Sequence, residues 1–164
     1  MKNILILVLA SIICLFSACS NPVDSKGSLK KPTQVASNKP IHKVTVKAIG
    51  NTMAEMAFDL KEIKVPANSR IELSLINDGT APSMLHNIVF VKYGTADKIG
   101  LDAISMAKNN FVPDSPDVIA ASALAKPRET VKMSFDAPAV GQYQYLCTYP
   151  GHHKIMRGVL TVTP

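Results

Sequence analysis

Cysteine is scarce in this chain: three residues in 164, at positions 14, 19 and 147. Two of them fall in the amino-terminal segment, so the body of the chain holds a single thiol and no internal disulfide scaffold is open to it. Long apolar runs are also lacking. The stretch from Ile4 to Phe16 is too short for a comfortable membrane span. No internal repeat and no glycine-rich phosphate loop is present, which removes solenoids and nucleotide-cradling folds. Strong charge is missing where a fold would carry it: of the formal net +6, Lys2 carries one and residues 19–40 carry +3. Residues 41–164 balance thirteen basic against eleven acidic side chains. With no basic helix and no interleaving of aromatic and basic residues, nucleic acid is not an expected partner.

What is present divides into three parts. Residues 1–18 have the form of an export signal, with a basic start at Met1-Lys2-Asn3, the short apolar run, and small Ser17 and Ala18. Leu15-Phe16-Ser17-Ala18-Cys19 resembles a bacterial lipobox, with Phe16 in place of the usual Leu. That resemblance implies cleavage before Cys19 and lipidation of Cys19; an ordinary secretory signal is the alternative, and either exports the chain. The expected location is the bacterial cell envelope, lipid-anchored and facing the periplasm or the exterior. Residues 19–40, rich in Asn, Pro, Ser, Lys and Thr, are expected to be a flexible basic tether that favours an anionic bilayer.

Residues 41–164 suit one domain. Period-two alternation in Val44–Ala48, Met56–Leu60 and Ile71–Leu75 predicts strands with one face inward. Further strands are expected at Asn87–Val91, at Val131, Met133 and Phe135, along Tyr143, Tyr145 and Cys147, and at Leu160 and Val162. The pattern is that of an all-β sandwich. Between residues 92 and 126 it changes: Ile99, Ala103, Met106 and Ala107 fall at helical spacing after a possible Thr95 cap. Their apolar stripe is expected to pack against the sandwich.

The chemistry concentrates in Cys147-Thr148-Tyr149-Pro150-Gly151-His152-His153-Lys154-Ile155-Met156. A thiol, an imidazole and a thioether share one short loop, turned by Pro150-Gly151. Upstream, His86 in Met84-Leu85-His86-Asn87 offers a second imidazole. Taken singly these are unremarkable: a buried thiol, solvated or structural histidines, a core methionine. Together they match the two-His, one-Cys, weak-Met set of a blue-copper electron-transfer centre, since thiolate and thioether suit Cu(I) and imidazole tolerates both oxidation states.

From about Ile41 to Pro164 the chain resembles the azurin and auracyanin branch of the cupredoxins, through His86-Asn87 and through four residues between Cys147 and His152, then three before Met156. The resemblance implies a Greek-key β-sandwich with a short helix-containing flap at residues 95–126. It implies one type 1 copper with His86, Cys147 and His152 as equatorial ligands and Met156 as the long axial one. Around them, Asn87 would tie its loop to Cys147-Thr148, and the backbone N–H groups of Asn87 and Tyr149 would face the sulfur. Leu85 stands where azurins carry Gly, and no metal contact is assigned to it. His153 has no expected role beyond that of an exposed residue.

The family further implies that the edge of His152 reaches the surface through an apolar patch, here Met84, Leu85, Tyr149, Pro150 and Ile155. Through it a redox protein, such as a cytochrome or a membrane-bound electron-transfer complex, would dock. The expected function is single-electron transfer by a membrane-tethered protein that is not an enzyme. An oxidase or reductase needs a second, solvent-open copper, for which only His42 and His153 remain. A copper store or chaperone in the envelope is the alternative, and it would usually keep a more open site.

Overall fold

The computed structural model describes residues 38–164; the expected signal, Cys19 and nearly all of the expected tether lie outside the described residues. In chain order the strands are β1 (Ile41–Ile49), β2 (Ala57–Phe58), β3 (Glu62–Pro66), β4 (Arg70–Asn77), β5 (Val89–Lys92), β6 (Val118–Ala121), β7 (Thr130–Asp136), β8 (Gly141–Leu146) and β9 (Arg157–Thr163). One helix, α1 (Ala96–Asp102), follows β5, and two 3-10 turns, Ala103–Ser105 and Ala107–Asn109, follow it. A four-stranded sheet runs β2-β1-β4-β7 and a five-stranded sheet runs β3-β9-β8-β5-β6. The pairs β1/β4 and β3/β9 are parallel, and the other pairs are antiparallel.

Alternation explains the first sheet. In β4, Ile71, Leu73 and Leu75 are buried while Glu72 and Ser74 face outward. Val46 and Ala48 of β1 join them, and Val131, Met133 and Phe135 of β7 pack on the same core. Each strand thus contributes one apolar face to the space between the sheets. Tyr145 fills the centre of that space, its ring between Phe58 at 5.7 Å and Phe90 at 5.6 Å. Its hydroxyl donates to the Leu60 carbonyl at 2.7 Å, so the buried phenol is satisfied. Gly158 lies opposite Tyr145 in the ladder, where a Cβ would stand 2.3 Å from the ring Cζ.

The second sheet is covered on both faces, which is why alternation fails there. Val89, Val91, Ala96, Ile99 and Leu146 form a second apolar cluster under α1, while Phe90 and Tyr145 face the main core. Strands buried on both sides read as near-continuous apolar runs, so Leu146 is as buried as its neighbours Tyr145 and Cys147.

Three expectations change. The expected strand Met56–Leu60 shrinks to β2, and two unexpected strands appear: β3, whose Ile63 and Val65 alternate over only five residues, and β6, inside the expected flap. Thr95 does precede α1, but its hydroxyl donates to the Lys92 carbonyl at 2.8 Å and makes no cap. Ile99 and Ala103 pack inward as expected, whereas Met106 is 37% exposed and Ala107 is exposed as well. The chain leaves the α-helix at Asp102, so the 3.6-residue spacing that aligned Met106 with Ile99 no longer applies.

Candidate metal centre

The loop between β8 and β9 is built by its own backbone. Cys147 N–H donates to the Met156 carbonyl at 2.9 Å, closing the loop at its base. Gly151 takes φ +86°, and the His152 carbonyl then accepts from Ile155 at 3.0 Å and Met156 at 2.9 Å. This tight turn places Cys147, His152 and Met156 close together despite five- and nine-residue separations.

His86 comes from the connection between β4 and β5. It exchanges both backbone hydrogen bonds with Ala125, at 3.2 and 2.7 Å. Asn77, the last residue of β4, rivets this arrangement: its buried amide nitrogen donates to the Met84 carbonyl at 2.7 Å and the Ala125 carbonyl at 3.1 Å. Nothing in the sequence singled out Asn77, since an Asn at a strand end is ordinarily a turn residue.

These supports bring three donor atoms together. Cys147 Sγ lies 3.8 Å from His86 Nδ1 and 3.6 Å from His152 Nδ1, and all three atoms fall within 4.8 Å of one another. Donors about 2.0–2.3 Å from a shared first-row ion stand roughly 3.5–4 Å apart, so this spacing fits a metal far better than a hydrogen-bonded network. Met156 is wholly buried in the same core cluster as Cys147.

Burial sets the charge state. The Cys147 thiol is pushed up to about 12 by desolvation, against which the Asn87 and Tyr149 backbone N–H groups pull it down. His86 is lowered to about 4 by desolvation and then by His152, and His152 is lowered to about 4 by desolvation. At neutral pH the metal-free centre therefore presents a thiol and two uncharged imidazoles. A cation bound there must displace the thiol proton, so uptake is favoured as pH rises.

Around the donors, Asn87 Oδ1 accepts from the Thr148 N–H at 2.8 Å and Asn87 Nδ2 donates to Thr148 Oγ1 at 2.8 Å. This pairing ties the His86 loop to the Cys147 loop. Tyr149 stands beside the centre, its ring 5.0 Å from that of His152.

Two expectations about the surroundings are corrected. His153 is not exposed: only 6% of it is accessible, and its Nε2 is buried with no hydrogen-bond partner among the described residues. A Cβ on Gly100 would stand 2.3 Å from the His153 ring, so α1 lies directly over it. His152 retains 1% exposure, so its ring is roofed and does not present a broad edge. Met53, from the connection between β1 and β2, lies against the same loop, its Cε 3.2 Å from where a Gly151 Cβ would be. Met53 and Ile155 are each 45% exposed. A contact between residues about a hundred positions apart left no local signal to find it by. Of the expected patch, Met84 is buried, Leu85, Tyr149 and Pro150 are half-buried, and Ile155 is exposed.

A family model described as copper binding proteins of the plastocyanin/azurin family matches residues 44–163. The chain belongs to this family. Among relatives of this cupredoxin, auracyanin-A of Chloroflexus aurantiacus is 36% identical over 118 residues, 70% of this chain and 72% of that one. Outer membrane protein H.8 of Neisseria meningitidis is 34% identical over 113 residues, 65% of this chain and 62% of the relative, so the cupredoxin spans less than two thirds of that protein. Among solved structures, dithionite-reduced auracyanin from Roseiflexus castenholzii superposes with a TM-score of 0.67 at 36% identity, covering 74% of this chain and 97% of that one. The fold is the cupredoxin β-sandwich, and the metal of the centre is copper, for which the sulfur and two imidazole nitrogens are a fitting donor set.

Proposed function

We propose that this cupredoxin is an electron carrier tethered to the bacterial envelope through lipidated Cys19, exchanging single electrons with redox proteins such as a cytochrome or a membrane-bound electron-transfer complex. The convergence of Cys147 Sγ with His86 Nδ1 and His152 Nδ1 in a buried pocket carries the reading. His86, Cys147 and His152 hold the copper, and Met156 offers the weak fourth thioether. Copper there supplies the electron by alternating between Cu(I) and Cu(II).

The residues do the rest. Cys147 and both imidazoles are fixed by strand ends and backbone hydrogen bonds, so the donor set resists rearrangement. Burial of His86, Cys147 and His152 excludes water and weighs against a store or chaperone, which must release its cargo. Tyr149 against the His152 ring and Met53 against Gly151, with Pro150 and Ile155 of the same loop, offer apolar surface at the ligand loop, suited to the small, brief interfaces of redox encounters. Support for the envelope anchor comes from the lipobox-like Leu15–Cys19 and from the likeness to outer membrane protein H.8. No helix among the described residues is long and apolar enough to cross a membrane.

The test is optical. Oxidised, copper-loaded protein is expected to be intensely blue from thiolate-to-copper charge transfer, and Cys147→Ser is expected to lose the colour. A wild type that takes up no copper, or a serine variant of unchanged absorption, overturns the assignment.

A further inference from the structure

Residues 95–112 hold the ligand loop at two separate places. At the first, Gly100 of α1 leaves a notch that the His153 ring fills, with hypothetical Cβ distances of 2.3 Å to Cγ and 2.6 Å to Cδ2. Asp97, earlier on the same helix, receives Arg157 Nη2 at 2.6 Å, while Arg157 Nε donates to the His153 carbonyl at 2.9 Å. His153 directly follows His152, and Arg157 directly follows Met156. The helix thus holds the chain immediately beyond two expected ligands.

At the second place, Asn110 and Phe111 adopt φ of +52° and +59°. Two consecutive non-glycine residues in the left-handed region are unusual, and for a bulky aromatic the conformation is disfavoured. Such strain persists only where the surroundings over-determine it, and it clusters at functional sites. Here the surroundings are the neighbours of the metal donors: the Asn110 carbonyl accepts from Asn87 Nδ2 at 3.0 Å, and the Phe111 ring meets Tyr149 edge-on at 5.1 Å. Asn87 follows His86, and Tyr149 lies between Cys147 and His152.

We propose that the flap is a positioning element of the copper centre: the Gly100 and Asp97 grip on His153 and Arg157, with the Asn110 and Phe111 grip on Asn87 and Tyr149, fixes the ligand loop and so sets copper retention and reduction potential. The inference rests on the copper reading given above and adds residues to it. Besides these grips the segment from Thr148 to Met156 is braced by its own turn, by Asn87, by Met53 against Gly151 and by the burial of Met156. Groups that orient metal ligands from outside the donor set affect metal affinity on the order of 10–100-fold. His153 and Phe111 are positioning residues in this sense, acting through their neighbours.

The experiment uses the full chain with three substitutions. Phe111→Gly removes the ring but leaves a residue at ease at φ +59°, so the backbone path is kept. His153→Ala empties the Gly100 notch. Leu101→Ala, on α1 but 58% exposed, is the control. Each protein is loaded with a copper salt, and three quantities are measured: reduction potential with thiolate–copper absorption, the rate of copper loss to a chelator, and hydrogen exchange of residues 147–157 in the metal-free form. Phe111→Gly and His153→Ala are expected to shift the potential and absorption, to lose copper about 10-fold faster, and to exchange faster in the loop. Leu101→Ala is expected to match the wild type. Folded variants with wild-type potential, copper loss and loop exchange overturn the inference. If His153→Ala does not fold, Phe111→Gly decides. If the wild type itself takes no copper, the electron-carrier reading falls, and metal-free loop exchange still decides whether the flap holds the loop.

Discussion

Met156 and Asn77 bear on the same centre in different ways, one as a soft and distant donor, the other as a support that acts through the Met84 and Ala125 carbonyls. A weak axial thioether contributes little affinity but tunes potential, so Met156→Leu is expected to keep copper and colour while the potential rises, as read by voltammetry. Loss of all copper in that variant would place Met156 among the anchoring ligands. Asn77→Leu leaves the Met84 carbonyl buried without its donor, at about 1–3 kcal/mol, and takes from the Ala125 carbonyl one of its two donors, the His86 N–H remaining. Urea unfolding is expected to show that loss. Cys147, His86 and His152 were legible in the sequence because their donor chemistry is rare and specific, and a lone thiol in a domain expected to be exported calls for a partner. The burial of His153 and the approach of Met53 to the ligand loop were not, because they are decided by Gly100 and Gly151, whose missing side chains leave no mark at a distance.

Among the elements, legibility followed burial geometry. β4 shows one face to the core and one to solvent, and its alternation was plain. β5 and β8 lie beneath α1 as well as over the core, so their periodicity is masked. β6 consists of four half-buried residues inside a segment whose other apolar positions run at helical spacing. The pairing of β8 with β9 is closed by Gly158 under Tyr145. Gly158→Ala drives a methyl to 2.3 Å from the phenol Cζ and 2.7 Å from the Lys61 carbonyl oxygen, an overpacking that costs about 1–3 kcal/mol. Thermal unfolding is expected to show a lower midpoint. An unchanged midpoint would mean that the sheet moves aside more freely than its backbone contacts allow.

For the whole molecule, the anchor proposed at Cys19 lies outside residues 38–164 and the metal donors lie within them, so attachment and copper chemistry are separable. Several acyl chains with a basic segment hold a protein on a bilayer where one chain does not. The native chain is therefore expected to sediment with membranes, and Cys19→Ser to be released or misprocessed while the isolated domain stays blue. A freely soluble wild type, with Cys19 unmodified or absent by mass spectrometry, would remove the anchor and leave the copper site untouched.

The strand order carries a consequence for biogenesis. β9 is the last of the described strands, yet it lies inside its sheet, paired on one side with β3 and on the other with β8. A nascent or translocating polypeptide that has not yet delivered residues 157–163 lacks the strip between β3 and β8, and its Cys147 loop has no second stem. Long-range pairing of this kind makes folding slow compared with local helix formation. In this topology the folded pocket forms only once residues 157–163 have joined the sheet, and copper acquisition by the folded centre comes after that step.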